Sequence, residues 1–311
     1  MRWVVAALLA LTLMGCAAPG LKALDGLSGV APRIELSQTP FYPQEDYQCG
    51  PAALATVLNA AGQDTTPEAL AGQVFLPARQ GSLQIEMLAA VPRHGLVGTR
   101  IPPRMDALLA ELSAGNPVLV MQNLGLSWAP SWHYAVAIGY DLAKRELVLR
   151  SGPYPRMVMP FNTFERTWAR SEHWAMVALP PDRLSATGSE SAVVDALVAF
   201  QRLAPVADTL RGFETAYARF PDNATLAVGL ANSQYAQGNL AAAEQTLRTA
   251  LLRQPGQAVI ANNLANVLLE RGAFDEAERL AEPVATQAGP WQEAGRATLD
   301  RVRKTRQASS R

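Results

Sequence analysis

The 311-residue chain reads as an α+β domain followed by an all-α domain of repeats. Three observations lead there. Helix signals dominate residues 51–113, while short apolar runs with strand character dominate 118–179. Pro180-Pro181 and a Ser/Gly-rich stretch at 185–191 then break the pattern. Beyond that break the composition turns Ala/Leu-rich, and two segments match at an offset of 34 residues.

In the first domain, residues 51–61 form a helix, with Pro51 in the first turn and Gly62 as its stop. Thr66 caps a second helix running to about Val74, and Ser82 caps a third running to about Val91. Residues 94–101 read as a strand and 103–113 as a helix ended by Ala114-Gly115-Asn116-Pro117. A short apolar strand follows at 118–122. Residues 133–140 and 146–151 pair as a hairpin around Asp141-Leu142-Ala143-Lys144. Strands at 157–161 and 174–179, with a short helix at 163–169 between them, complete a sheet. The domain is bounded at 36–181 and a linker at 182–191.

The remainder, 192–311, repeats itself. "PDNATLAVGLANSQYAQGNLAAAEQTLRTALLRQ" starts at Pro221 and "PGQAVIANNLANVLLERGAFDEAERLAEPV" at Pro255. Gly238 recurs as Gly272, Ala243 as Ala277, Glu244 as Glu278, Leu230 as Leu264 and Ala231 as Ala265. The pattern resembles the tetratricopeptide repeat, whose period is 34 residues. The small residues let paired helices approach closely, and the glycines sit in the turns. Residues 192–220 read as a degenerate earlier unit, with Ala216 in register with Ala250, and 291–303 as a solvating, capping end helix. A plain helical bundle is the alternative, and matched residues at a fixed offset argue against it. The resemblance implies a protein partner bound through the repeats.

Composition narrows the chemistry. Hydrophobic residues are 49% of the chain and charged ones 17%, enough apolar material for real cores. Twenty-seven basic and 27 acidic residues cancel, so there is no electrostatic footprint for nucleic acid, and no such partner is expected. Two cysteines and three histidines exclude zinc-type spacing, and no cofactor is implied.

At the N-terminus, Arg2 precedes an apolar run at 3–14 that is too short to span a bilayer comfortably. Leu13-Met14-Gly15-Cys16 follows and resembles the bacterial lipobox. That resemblance implies a signal peptide at 1–15, a lipid on Cys16, and a tether at 16–35 that anchors the chain to a membrane. An ordinary secretory signal or an uncleaved anchor are the alternatives. Ala17, in place of aspartate, points to the outer membrane, so the expected location is the bacterial cell envelope, facing the periplasm.

If Cys16 carries lipid, Cys49 has no disulfide partner, and a lone thiol kept in an oxidising compartment suggests chemistry. A buried inert cysteine, or a Cys16–Cys49 disulfide, are the other readings. Cys49 stands at a helix start, in Gln48-Cys49-Gly50-Pro51-Ala52-Ala53-Leu54. Unsatisfied N–H groups there favour a thiolate of lowered pKa, and the Cys49 N–H can point at a developing oxyanion. Gln44 and Gln48 are both candidates for a second donor. The base must be a histidine. His133 opens an apolar strand and stands at a sheet edge, whereas His94 reads as a helix-end residue and His173 as a surface turn. Taken alone, His133 could be a satisfied core histidine; Cys49 makes it the candidate base. Trp128 and Trp132 flank it and either line a cleft or pack.

The "CGPAAL" motif, with a glutamine upstream and "HYAVAIGYD" some 80 residues on, resembles the C39-like group of cysteine peptidases over residues 36–181. The resemblance implies a papain-like fold, with Cys49 as nucleophile, His133 as base and an upstream glutamine in the oxyanion hole. Two positions depart from the family. The glutamine commonly sits six residues before the cysteine, where this chain has Pro43, and Gln44 is one residue late. The orienting aspartate is expected where the chain reads Arg150-Ser151-Gly152-Pro153, leaving Ser151 or a backbone carbonyl to orient His133. The reading is therefore a lipid-anchored cysteine peptidase acting on a polypeptide, with repeats that bind a partner. The alternatives are a catalytically degenerate assembly module and a Cys-His amide or acyl transferase.

Overall fold

The computed structural model describes residues 29–43 and 48–309. Cys16 and Gln44 lie outside the described residues. The chain forms two compact units: 100–177, 185–187 and the described residues up to 88 in the first, and 89–99, 178–184 and 188 onward in the second.

The first unit begins with β1 (Arg33–Glu35), then α1 (Cys49–Ala60), α2 (Pro67–Val74), β2 (Phe75–Leu76), β3 (Gly81–Ser82) and α3 (Gln84–Ala90). A single-turn helix, Val91–His94, and β4 (Val97–Arg100) follow in the chain, with 91–99 falling in the second unit. After β4 come α4 (Met105–Ser113), β5 (Val118–Asn123), β6 (Trp132–Asp141), β7 (Glu146–Ser151), β8 (Tyr154–Pro160), α5 (Phe161–Ala169) and β9 (Ala175–Leu179). The strands run β9-β5-β6-β7-β8, all neighbours antiparallel, and β1 pairs with the far half of β6.

Burial explains the arrangement. Residues 50–58 of α1 are buried without interruption, so this helix has no solvent face and lies packed on β6. Ala52, Ala53 and Ala55 keep it thin enough for that. On the sheet, Val118, Leu119, Val120 and residues 135–138 are fully buried. Each buried Val, Leu or Ile among them contributes about 1.5–3 kcal/mol.

Several boundaries differ from the sequence reading. The first helix begins at Cys49, two residues early, which puts the thiol inside its first turn. Ser82 caps nothing: it belongs to β3, which pairs with β2 in a two-stranded hairpin, and α3 starts at Gln84. The strand expected at 94–101 shrinks to Val97–Arg100, because Val91–His94 continues the preceding helical turn. The strand expected at 157–161 runs from Tyr154 to Pro160, and α5 starts at Phe161. β1, β2 and β3 are two or three residues long and carry no periodicity to read.

The linker is gripped rather than loose. Glu111 of α4 is fully buried, and its carboxylate accepts from the Asn116 side chain, the Ser185 hydroxyl, the Ala186 and Thr187 amides and the Thr187 hydroxyl. A buried carboxylate is stable only when its oxygens are satisfied in this way.

The second unit holds seven helices among the described residues of 190–309: α6 (Glu190–Phe200), α7 (Val206–Arg219), α8 (Ala224–Ala236), α9 (Leu240–Arg253), α10 (Ala258–Glu270), α11 (Phe274–Thr286) and α12 (Gln292–Ser309). The matched small residues Ala231, Ala265, Ala243 and Ala277 are buried where helices meet. Gly238 and Gly272 sit in the turns between paired helices at φ +79° and +76°, a conformation other residues resist. Charges lock the repeats together. Arg248 binds Glu244 on its own helix and forks onto Glu276 of α11 at 2.6 Å, while Glu278, the counterpart of Glu244, holds Arg303 of α12 at 2.7 Å. The degenerate segment at 192–220 forms a helix pair all the same, with Phe200 and Phe213 in its core.

Replacing Glu111 with Ala would strand several buried donors around a cavity. The expected loss is about 3 kcal/mol, read as a lower urea midpoint of the far-UV circular dichroism transition, with Glu111→Gln intermediate.

Candidate active site

Cys49 is half-buried at the first residue of α1 and opens onto a cleft of about 900 Å³ in the first unit. The packing of α1 on β6 sets its position. Backbone N–H groups of Tyr134 on β6, of Gly50 and of Cys49 itself lie near the Cys49 sulfur and favour its charged form. Gly50 is required by close approach: a Cβ there would lie 2.2 Å from the Ser82 hydroxyl oxygen.

His133 precedes Tyr134 in the chain, so the same strand that touches the sulfur carries the imidazole. It is half-buried and lines the same cleft. β5 fixes its register, with Gln122 opposite His133 and Asn123 opposite Trp132. On the other side the β6–β7 pairing runs to Val136↔Arg150, and Ser151 follows. Its hydroxyl lies 2.8 Å from His133 Nε2 and is buried. Arg150 turns the other way and donates to the carbonyls of Ser37 and Thr39, pinning this end of β7. Asp141 is occupied at the hairpin turn, 3.9 Å from Arg33 and accepting from the Lys144 amide.

Electrostatics depart from the sequence expectation. Burial pushes the Cys49 thiol up, and the amide hydrogen bonds only partly offset this. Burial likewise pushes His133 down. At neutral pH Cys49 is thus a thiol and His133 a neutral imidazole, not the thiolate that the helix start alone suggests. The reason is competition: the amides favour charge on sulfur, but removing sulfur from water costs more. Ser151 can donate or accept, so it steadies the ring without charging it, as a carboxylate would.

Not every expected residue is gathered here. Gln48 is exposed, makes no capping hydrogen bond and does not line the cleft; Gln44 lies outside the described residues. His173 is no simple surface turn: it bonds Glu165 at 2.8 Å and meets Trp168 edge-on. His94 stands in the second unit with its Nε2 buried and without a partner among the described residues. Trp132 lines the cleft, while Trp128 is exposed at a loop tip.

The cleft also holds residues the sequence reading passed over. The Ser82 hydroxyl is buried without a partner among the described residues, and Gln84 reaches Met121 Sδ at 3.3 Å. Gln80 and Glu172 line the cleft with φ of +47° and +55°, a strained choice for side-chain-bearing residues. No pattern in the sequence marks them, because short loops bring them in.

Residues 36–176 match the model of the Peptidase_C39 like family, and residues 206–262 match the tetratricopeptide repeat. A solved structure of a candidate C39-like peptidase from Bacillus anthracis aligns at 17% identity and a TM-score of 0.41, over 49% of this chain and 98% of that one. No curated protein matches the chain.

Alkylation of Cys49 by iodoacetamide should rise with pH through a midpoint above about 8.5, the value of a free thiol. A plateau already reached at pH 7 would contradict the neutral resting pair.

Proposed function

We propose that this chain, a C39-like domain joined to tetratricopeptide repeats, is a cysteine peptidase tethered in the bacterial envelope. One observation carries the reading: Cys49, at the first residue of α1, and His133, on β6, open onto one cleft.

The chemistry follows from the neutral pair. Ser151 engages Nε2, which leaves Nδ1 to serve the thiol. As sulfur attacks a peptide carbonyl carbon, its proton passes to His133, so charge develops only when substrate has displaced water. The Cys49 amide, with Gln44 as the second donor, meets the oxyanion. The imidazolium then gives its proton to the departing amine as the C–N bond breaks, leaving a thioester on Cys49. Water, deprotonated by His133, attacks that thioester, the C–S bond breaks, and the thiol recovers its proton. Cys16 supplies the lipid anchor, which places the cleft on the periplasmic side of the outer membrane. Tetratricopeptide repeats generally bind polypeptides, and we assign that role to the matching helices here.

A second reading has support in two features: a serine where a carboxylate would orient the base, and a thiol pushed up rather than down. Under it the domain recognises polypeptides without cutting them. A quenched-fluorescence peptide library, incubated with wild type and Cys49→Ala, separates the two. We expect turnover that Cys49→Ala abolishes and His133→Ala lowers by about 10²–10⁴-fold. Ser151→Ala should cost about tenfold, the worth of one hydrogen bond near 1.4 kcal/mol. Because burial lowers the His133 pKa, the acid limb of kcat/KM should fall below about pH 6.5. No turnover by wild type would favour the recognition reading.

Anchoring has its own test. Wild-type protein expressed in a bacterium should incorporate radiolabelled palmitate and sediment with membranes, and Cys16→Ser should lose both; unchanged sedimentation of the variant would argue against the lipid.

A further inference from the structure

We propose that residues 83–85 and the hairpin at 124–132 form a binding surface for bulky apolar side chains of the polypeptide substrate, next to the bond that is cut. This rests on the peptidase reading and adds its substrate class.

Apolar surface left in water gathers beside the cleft. Among the described residues of the first unit, eight large apolar side chains are exposed. Six of them fall in these two short segments: Leu83, Ile85, Leu124, Leu126, Trp128 and Trp132. The other two, Tyr154 and Val158, stand on β8 at the sheet edge. Trp128 is 82% exposed and Trp132 51%. Both segments border the cleft that holds Cys49: Leu83 lines it from one, Pro130 and Trp132 from the other. Apolar surface gathered beside a cleft marks a binding site, whereas scattered exposed residues mark nothing.

The hairpin is built to hold these side chains out. Leu124 N–H donates to the Ser131 carbonyl at 2.8 Å, and Leu126 and Ala129 exchange both backbone bonds at 3.1 Å. That leaves Ser127 and Trp128 at the tip. The Asn123 side-chain oxygen accepts from the amides of Gly125 and Ser131, at 3.0 and 2.9 Å. Arg170 closes the base, donating to the carbonyls of Asn123 and Gly125. Gly125 has no room for a side chain, since a Cβ would sit 2.4 Å from the Ala129 carbonyl oxygen. A hairpin fixed this firmly around an exposed indole is prepared for a partner.

The charges favour a polypeptide over a lipid surface. A membrane-docking hairpin would carry basic residues around its tip. Residues 124–132 carry none, and the cleft mixes Arg79 and Arg170 with Glu172. The surface is also continuous with the nucleophile, where an extended chain must lie to be cut.

The test profiles cleavage of a peptide library by mass spectrometry and then measures kcat/KM for matched peptides. At one position close to the cut, Leu, Met, Phe or Trp should be favoured over Ser by about tenfold or more. In Trp128→Ala/Trp132→Ala that ratio should fall towards one, and in Val158→Ser it should stay unchanged. An absent preference, or one that survives the double substitution, would overturn the proposal. Should wild type cut nothing, fluorescein-labelled peptides and Cys49→Ala give an independent answer by anisotropy. Apolar peptides binding about tenfold more tightly than their serine analogues, with the difference lost in the tryptophan variants, would uphold this surface while the peptidase reading fell. Equal binding would overturn it. So would binding to phosphatidylethanolamine–phosphatidylglycerol vesicles that depends on Trp128 and comes without a peptide preference. The melting temperature of each variant verifies folding.

Discussion

The site depends on one contact between a helix and a strand. α1 lies buried on β6, and at its first residue Cys49 comes beside the backbone N–H of Tyr134. His133 is the neighbouring residue, so the packing of α1 on β6 brings Cys49 and His133 to one cleft. The rest of the unit serves this contact. Thin alanines let the helix approach, Gly50 admits the Ser82 hydroxyl, and β5 and β7 hold β6 in register from either side.

The electrical state of the pair follows from the depth of that contact. Amide donors at a helix start favour a thiolate, but the same packing that supplies them removes water. Desolvation is the larger effect on both groups, and it favours the neutral form of each. The serine at the far side of the ring is consistent with such a pair. An aspartate would hold imidazolium in place, whereas the Ser151 hydroxyl orients the ring at no electrostatic cost. Under the proposed peptidase reading, the chemistry would resemble a serine-type proton relay more than a preformed ion pair.

Much of the architecture was legible in the sequence because it rests on periodicity. The repeat offset, the turn glycines and the paired alanines identify the helical part by simple alignment, and each matched alanine lies buried. The long strands and the helix after Cys49 were readable for the same reason. Ser151 could be placed by counting from the turn at Asp141, since a hairpin fixes what lies opposite. What escaped depends on short elements without a period. The β2–β3 hairpin is four strand residues long, yet it carries Ser82 and leads to Gln84 in the cleft. The thiol's pKa escaped for a different reason. A sequence shows the dipole of a helix start, whereas burial is a property of everything packed around it.

The two units divide the work in this account: one holds a reactive pair beside an apolar surface, and the other offers stacked helices locked by arginine–glutamate forks. Their common premise is that Cys49 and His133 act together on an acyl group. Rapid-quench mass spectrometry with an activated peptide ester measures this most directly. The account predicts an acyl adduct on the tryptic peptide containing Cys49, formed and hydrolysed in wild type, and formed about a hundredfold more slowly or worse in His133→Ala. No adduct at Cys49, or one that forms equally fast without the histidine, would contradict it.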